Sequence, residues 1–171
     1  MMKRAILLVG HGAAAADTPR ALVQRVKALE GQRRASHAPM TDEERELDAK
    51  IRAWPRTDES DPYRAGVLQL AARLAARAGA GWDVKVAFNE FCAPTVEAAF
   101  GEAVAAGAQE IVLVPTMMTP GGVHSEIEIP EIVAGLRAAN PEVRVRYAWP
   151  FDLDDVAGLL ERAVIRAAES Q

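Results

Sequence analysis

The order of apolar runs along this chain constrains its fold more than any other feature. Four short runs are rich in β-branched and apolar residues: RAILLVG (4–10), WDVKVAF (82–88), EIVLVPT (110–116) and VRVRYAW (143–149). The first and third are almost wholly apolar, as expected for central parallel strands covered on both faces, whereas the other two alternate more. Helical patterns separate the runs. We therefore predict an α/β fold with a four-stranded parallel sheet in the order 2-1-3-4, right-handed crossovers and helices on both faces.

Helix start and stop signals support this alternation. Asp17 predicts the N-cap of a first helix that has Pro19 in its first turn and ends at Gly31. Asp61 predicts the start of a second helix, and Asp152 predicts the start of the last one. The strands and helices therefore follow one another as in repeated βαβ units.

The spacing of the strands indicates one domain, residues 1–171, with an insertion at about residues 32–60. Strands two, three and four lie roughly 30 residues apart, as βαβ units require, but strands one and two are separated by far more. Inside the insertion, Thr41 and Glu44 form a capping-box pattern before apolar residues at helical spacing. We expect a short amphipathic helix anchored by Trp54, in a segment that is mobile or acts as a partial lid.

Composition limits the class of partner. The formal net charge is -4 and the pI is about 5.5, which argues against a nucleic-acid-binding protein. Cys92 is the single cysteine, so one chain forms no internal disulfide and no all-cysteine metal site; this fits a reducing cytoplasm. The apolar start of the chain is short and is interrupted at residues 10–12, and no run approaches the ~20 apolar residues of a membrane span. We expect a cytoplasmic protein that binds neither membrane nor nucleic acid.

Three polar residues follow three different strands. His11 comes directly after strand one, Glu90 after strand two, and His124 in a glycine loop after strand three. In open parallel sheets, ligands bind beyond the carboxyl ends of the strands, so these side chains should converge on one rim. Two neutral imidazoles and a carboxylate suit a borderline divalent metal such as Fe²⁺, Co²⁺, Ni²⁺ or Zn²⁺. Ligands on loops leave coordination positions open, so such an ion could be bound and then passed on.

Each of these residues also has a simpler interpretation. His11 could be a turn residue that bonds backbone, His124 an exposed loop histidine, and Glu90 a solvated strand-end or helix-start carboxylate. His37, in the insertion, is more readily explained as incidental. Cys92 is more readily explained as a small buried residue than as a nucleophile, because no histidine is near it in sequence.

Other chemistries lack their motifs in this sequence. It contains neither the G-x-S-x-G nucleophile elbow nor the G-x-x-x-x-G-K-[ST] phosphate loop. Strand one ends in GHGA, without a G-x-G-x-x-G fingerprint. Gly10 stands where a phosphohistidine enzyme carries an arginine. An unrelated α/β enzyme thus remains only a weak alternative.

Three segments resemble one known family. ILLVGHGA, FNEFCAPTVEAAFGEAVAAGAQEIVLVP and GGVHSEIEIP, in this order and spacing, are similar to the sirohydrochlorin chelatases, the class II chelatases. These enzymes insert cobalt, iron or nickel into sirohydrochlorin-type tetrapyrroles without ATP. The resemblance covers residues 4–16 and 82–165. Ala13 stands where the family often has Ser or Thr, and residues 32–60 are not part of the short family pattern.

The resemblance implies roles for named residues. His11, His124 and Glu90 are implied as the catalytic and metal-handling residues, with the division between ligand and base left open. Gly12, Gly121 and Gly122 are implied to bind substrate, the last two by letting backbone approach a large flat ligand. Free imidazole titrates near pH ~6.5, so histidine can bind metal or accept a proton at neutral pH. Arginines in or beside the insertion could pair with the carboxylates of the substrate, and each could equally belong to a solvated charged surface: Arg33, Arg34, Arg52, Arg56 and Arg64.

The resemblance also implies substrates and assembly. The divalent metal (Co²⁺, Fe²⁺ or Ni²⁺) is a substrate, the tetrapyrrole is the other, and no organic cofactor is implied. Full-length members have two α/β halves around one cleft, so a chain with one half is expected to form a homodimer. A non-catalytic metal- or tetrapyrrole-binding protein on the same scaffold remains the alternative.

Overall fold

A computed structural model of the chain describes residues 2–170, and its sheet has the predicted topology. Four parallel strands lie in the order β2-β1-β3-β4. Their bounds are β1 (Arg4–Gly10), β2 (Trp82–Phe88), β3 (Glu110–Pro115) and β4 (Arg144–Tyr147). Gly10 is in register with Phe88, and Val9 with Pro115, so β1, β2 and β3 end at the same edge. The predicted strand order and the convergence of three strand ends are confirmed.

Six α-helices connect and follow the strands. They are α1 (Arg20–Ser36), α2 (Asp42–Arg52), α3 (Pro62–Ala78), α4 (Val96–Ala105), α5 (Ile129–Ala139) and α6 (Leu153–Glu169). A π-helical turn, His124–Glu128, leads directly into α5. Within residues 2–170, no helix is long and apolar enough to cross a membrane.

Two of the predicted helix starts are confirmed and one is wrong. The side chain of Asp61 accepts a hydrogen bond from the amide of Arg64 at 2.9 Å, and Asp152 caps α6 in the same way. Helix α1 instead begins after Pro19, two residues beyond the expected cap at Asp17, and continues through Gly31 to Ser36. An internal glycine costs only about 1 kcal/mol. Arginines of the extra turn offset that cost through ion pairs with acidic residues elsewhere in the chain.

The main core lies on one face of the sheet. The alternate β1 residues Leu7 and Val9 are fully buried there. They belong to one apolar cluster with Phe100 of α4 and with Ile129 and Val133 of α5. Because α4 and α5 are the crossovers that precede β3 and β4, this packing fixes the level at which the strands end. The loops after β1, β2 and β3 are positioned as a result.

The opposite face of the sheet is only partly covered. Helix α3 packs there, with Val67 and Ala71 against Leu8 and Phe88. Beside α3 an open apolar groove of about 630 Å³ exposes part of β1 and β3. Helix α6 borders the groove through Leu159. The structure describes every residue of this helix, and none of them is buried. Helices therefore lie on both faces, but one face retains a broad apolar opening.

The inserted segment, which was expected to be mobile or to act as a partial lid, packs against the body of the protein. Thr41 caps α2 by accepting a hydrogen bond from the amide of Glu44 at 3.1 Å, as its pattern predicts. The buried anchor is Ile51, which is 0% exposed and clusters with Val26 of α1 and Phe91. Trp54, the expected anchor, is only half-buried. The segment is thus joined to the loop that follows β2.

Candidate metal centre

The structure brings together the three side chains that the sequence places after β1, β2 and β3. Nε2 of His11 lies 3.9 Å from Oε2 of Glu90, and Nε2 of His124 lies 3.7 Å from Oε1 of the same carboxylate. The two imidazole rings meet edge to face, with their centroids 4.6 Å apart. One ligand atom from each residue can be chosen so that all three lie within 4.8 Å of one another. A single ion could therefore contact all three residues.

Backbone contacts beyond the strand ends hold two of these loops side by side. The amide of Asn89 donates to the carbonyl of Gly10 at 3.0 Å, and the amide of Glu90 donates to the carbonyl of His11 at 2.8 Å. Gly12 has a φ of +94° and lies directly against the Glu90 backbone, where a β-carbon would not fit. The role that this geometry gives Gly12 is close packing between the two loops.

Hydrogen bonds on the far side of each ring set the tautomers of the two histidines. Nδ1 of His11 lies 2.8 Å from the carbonyl oxygen of Gly12, and Nδ1 of His124 lies 2.6 Å from Oε2 of Glu128. A carbonyl and an ionised carboxylate only accept, so both Nδ1 atoms carry the hydrogen. In the neutral rings both Nε2 atoms then keep a free lone pair, and each lies within 4 Å of the Glu90 carboxylate.

Asn89 and Glu128 form a second layer around His124 that the sequence analysis missed. Nδ2 of Asn89 donates to Oε2 of Glu128 at 2.8 Å and lies 2.9 Å from Nδ1 of His124. Since both nitrogens are donors, Glu128 is the shared acceptor. Metal-ligating histidines commonly donate their other ring hydrogen to a carboxylate in this way. The sequence signal available was the acidic residue four positions after the histidine.

A cation neutralises the carboxylates beside the trio. Nη2 of Arg34 lies 2.6 Å from Glu30, 2.6 Å from Glu128 and 3.4 Å from Glu90. Oxygens of these three glutamates lie within 4.8 Å of one another. Without the guanidinium, three negative charges would repel at this distance. Arg34 therefore compensates the acidic side of the centre.

The environment shifts the pKa values of Glu90 and Glu128 in opposite directions. Burial raises the pKa of Glu90, the nearby Glu30 raises it further, and the two histidines only partly offset these effects. Burial also acts to raise the pKa of Glu128. There, however, the hydrogen bonds from His124 and Asn89, with the charge of Arg34, together hold the pKa below its usual value. Glu128 therefore favours the ionised form, and Glu90 is the more readily protonated carboxyl.

Most of the arginines expected to bind substrate carboxylates are engaged inside the protein. Arg33 pairs with Glu44 at 2.9 Å, and Arg34 with the glutamates described above. Arg52 pairs with Asp48 at 2.7 Å, and Arg56 with Asp61. A sequence cannot separate such internal partners from surface cations. Four of the five therefore already have carboxylate partners within the chain, and their pairing with substrate carboxylates stays a prediction.

The remaining candidates lie around or away from the centre. Gly121 has a φ of +90° with open space around it, and a β-carbon on Gly122 would lie 3.3 Å from Oγ of Ser125. The glycine loop thus has the unusual backbone that its sequence indicates. His37 ends α1, with Nδ1 3.0 Å from the carbonyl of Arg34, and is not in the trio. Cys92 is fully buried.

The two sides of the centre differ in character. A cavity of about 460 Å³ on the α1 and α2 side of Glu90 is bordered by many acidic residues: Glu30, Glu44, Asp48, Glu97, Glu128 and Glu131. On the other side His11 is 42% exposed, and its amide donates to the hydroxyl of Tyr63. Tyr63 and Val123 are themselves exposed. An anionic ligand would be repelled on the first side, whereas a flat apolar one could reach the imidazoles on the second.

Comparisons with known proteins identify the family of the chain. The CbiX family model matches residues 58–167. A sirohydrochlorin cobaltochelatase of Priestia megaterium is 36% identical over 93 residues, which are 52% of this chain and 29% of that protein. A sirohydrochlorin ferrochelatase of the same organism is 32% identical over 71 residues, or 42% of this chain and 26% of that protein.

A solved structure shares the fold. A CbiX protein from Marinobacter aquaeolei VT8 superposes with a TM-score of 0.56 at 16% identity, and the match covers 96% of each chain. By contrast, the matched residues cover less than a third of the length of the two curated relatives above. The likeness to the solved structure supports the fold of the whole described chain.

Proposed function

This chain belongs to the CbiX family, and on that premise we propose that it is a metal chelatase, a lyase that inserts a divalent metal into sirohydrochlorin or a related tetrapyrrole without ATP. The observation that carries the proposal is the trio His11, Glu90 and His124, whose ligand atoms lie within 4.8 Å. Relatives named cobaltochelatase and ferrochelatase support cobalt and iron as the metal, with nickel as a third candidate.

The chemistry of the trio suits a metal that arrives and then leaves. Imidazole nitrogens and one carboxylate favour borderline divalent ions. Three protein ligands leave coordination positions open on such an ion, and a macrocycle nitrogen can enter there. His11 is the most exposed member of the trio, so it is placed to meet the incoming metal or ring first.

The insertion also requires proton acceptors. A tetrapyrrole loses two N–H protons as it accepts M²⁺. The acceptors at the centre are the Nε2 atoms of His11 and His124 and the carboxylate of Glu90. The raised pKa of Glu90 makes it a stronger base than an ordinary glutamate at the same pH. We assign metal holding and proton acceptance to these three groups together.

We propose that the tetrapyrrole approaches from the side of His11 and the glycine loop. Tyr63 and Val123 offer exposed apolar surface beside the two histidines. The positive φ of Gly121 and the open space around it leave room for a flat ring near the backbone. The acidic cavity on the opposite side of Glu90 disfavours a ligand that carries many carboxylates.

We propose further that two copies of the chain pair, and that the open sheet face contributes to the contact. Helix α6 exposes a series of large apolar residues: Leu153, Leu159, Leu160, Val164 and Ile165. The groove beside it is also apolar. Monomers rarely expose contiguous apolar patches of this kind, and a two-fold contact lets each copy supply both surfaces. Sedimentation at micromolar concentration should give about twice the 18.4 kDa chain mass, and Val164→Asp should shift the protein towards monomer.

We also propose a cytoplasmic location and a reaction without an organic cofactor. The single cysteine is buried and free, which fits a reducing compartment. The three metal-handling groups supply the chemistry described above from side chains alone. Full activity of purified protein with only metal and tetrapyrrole added would support the second point.

The decisive experiment is an absorbance assay of metal insertion. Sirohydrochlorin is mixed with Co²⁺, Fe²⁺ or Ni²⁺, and the initial rate is measured for wild type, His11→Ala and His124→Ala. Each variant should fold and lose at least about a hundredfold in rate, and the double variant should lose little more, as expected of groups that act as a unit. His37→Asn is the control, since asparagine tolerates the left-handed backbone at residue 37. Binding of metal or tetrapyrrole without turnover by wild type would instead favour a non-catalytic carrier.

A further inference from the structure

We propose that Arg52, supplied by the inserted segment, is a positioning residue that holds the Glu90 loop in its metal-binding geometry. The inference rests on the proposed function, since it gives the insertion a role in the metal centre. The hydrogen bonds of Arg52 go to Asp48 and to two backbone carbonyls, and none goes to a side chain of the trio. It acts through the backbone on both sides of Glu90.

The guanidinium of Arg52 spans the loop. Nη2 donates to the carbonyl of Asn89 at 3.0 Å, and Nη1 donates to the carbonyl of Cys92 at 3.0 Å. Glu90 lies between these two residues in the chain. Nε donates to Asp48 at 2.7 Å, one helical turn earlier on α2, which fixes the direction of the side chain. A planar group with fixed donors therefore sets the separation of two carbonyls that flank Glu90.

This loop needs external support because its backbone is strained. Phe91 has a φ of +55°, in the left-handed region that residues other than glycine rarely adopt. Such a conformation persists only where surrounding contacts determine it. The ring of Phe91 is buried with Val26 and Ile51, so the contacts come from α1 and α2. The carbonyl bonds of Arg52 come from the same helix α2.

A second arginine of the segment ties this loop to the His11 loop. Arg56 donates to the carbonyls of Phe91, Ile51 and Ala13, the last at 2.8 Å, and pairs with Asp61. Its side chain is 6% exposed, and that of Asp61 is 1% exposed. Removing Arg56 would leave a buried charge without a partner and endanger the fold. Arg52 lies nearer the surface and is the better residue to test.

The distances between Glu90 and the two imidazoles make the centre sensitive to the position of the Glu90 loop. Glu90 stands 3.7 Å and 3.9 Å from the two imidazoles, so a small displacement of its loop takes the carboxylate out of reach of a shared ion. Loss of a group that orients a metal ligand typically lowers metal affinity by about 10–100-fold. A segment outside the short family pattern would then be needed for metal binding rather than for folding alone.

The test is a titration with Co²⁺ alone, without tetrapyrrole, followed by visible absorbance. Arg52→Ala should raise the dissociation constant for Co²⁺ about tenfold and change the d–d absorption bands, because one ligand is displaced. Arg52→Lys should recover little, since one ammonium cannot reproduce the planar fork. Arg25→Ala is the matched control: it removes a bidentate ion pair with Glu43, 2.7 Å for each bond, that also links α1 to α2. It should leave affinity and bands unchanged.

Further outcomes separate this inference from the proposed function. If Arg52→Ala fails to fold by circular dichroism, Asp48→Asn, which only releases the arginine, must show the same spectral change. Native Co²⁺ affinity and bands in a folded Arg52→Ala or Asp48→Asn protein would overturn the inference. A wild type that binds Co²⁺ but inserts neither Co²⁺, Fe²⁺ nor Ni²⁺ into sirohydrochlorin would overturn the proposed function and leave the positioning role standing. A wild type that binds none of these three ions would overturn both.

Discussion

A β-carbon on Gly12 would lie 1.9 Å from the carbonyl oxygen of Glu90. The loops that carry two members of the metal centre therefore touch through bare backbone. No rotamer change can relieve such a contact, because both atoms belong to the main chain or are fixed to it. The φ of +94° at Gly12 adds a second reason for glycine at this position.

Gly12→Ala should accordingly separate the two loops and destabilise the protein. We expect the free energy of unfolding to fall by at least about 2 kcal/mol, from backbone displacement and left-handed strain together. Urea denaturation measures this change. Gly31→Ala is the control, since its β-carbon meets nothing within 4 Å inside α1. It should stabilise the protein by about 0.5–1 kcal/mol, and equal effects of the two changes would contradict the close-packing role.

Glu128→Gln should weaken metal binding without changing the trio itself. The glutamine keeps the size of the side chain but loses the charge that accepts from Nδ1 of His124 at 2.6 Å. We expect the dissociation constant for Co²⁺ to rise about tenfold, as for other second-layer carboxylates. Calorimetry measures the constant, and Glu131→Gln, an exposed change in the first turn of α5, should leave it unaltered. An unchanged constant in Glu128→Gln would show that His124 is oriented by other contacts.

Arg34→Met should strengthen Co²⁺ binding, in contrast to Glu128→Gln. The guanidinium lies 3.4 Å from Glu90 and competes electrostatically with any cation that Glu90 binds. Removing its charge should lower the dissociation constant for Co²⁺ several-fold in low salt, and the gain should shrink as salt screens the centre. Arg45→Met, which removes an exposed pair with Asp42, serves as control. Weaker Co²⁺ binding in Arg34→Met would mean that the arginine mainly orders the glutamates.

Tyr147 should add an alkaline limit to stability. Its hydroxyl donates to the carbonyl of Ser125 at 3.0 Å, and burial, followed by the charge of Glu126, raises its pKa to about 12. The folded state then binds a proton that the unfolded chain releases near pH ~10. This contribution to stability is complete below pH ~10 and is lost as pH rises towards 12. Tyr147→Phe should be slightly less stable at neutral pH and should fall less steeply above pH 10 in urea denaturation. Parallel curves for the two proteins would contradict this.

The sequence was sufficient for the sheet and for the rim of the site. Apolar runs identify buried strands because a central parallel strand must hide both of its faces. The strand-end rule then places His11, Glu90 and His124 together, since register brings three carboxyl ends to one level. These predictions depend on backbone regularity, which periodicity encodes directly.

What escaped prediction depends on individual side chains that meet across long separations. Arg52 bonds carbonyls 37 and 40 positions away, and Arg34 meets Glu128 at a separation of 94. No local pattern distinguishes an arginine that will find such partners from one that stays in solvent. The same limit applies to the insertion. Its helix was predicted, but the packing of that helix against Phe91 was not. This packing depends on a strained loop that no local sequence pattern indicates.

Strand β1 is hydrogen-bonded to β2 on one side and to β3 on the other. The three residues of the trio follow these three neighbouring strands. An ion held there would cross-link the ends of all three, and any ligand that binds only the folded chain stabilises it by mass action. If the chain inserts metal as proposed, its resistance to heat should therefore rise when the metal is taken up and fall again when the ion leaves in the product. The melting temperature of the protein would thus report which step of its working cycle it has reached.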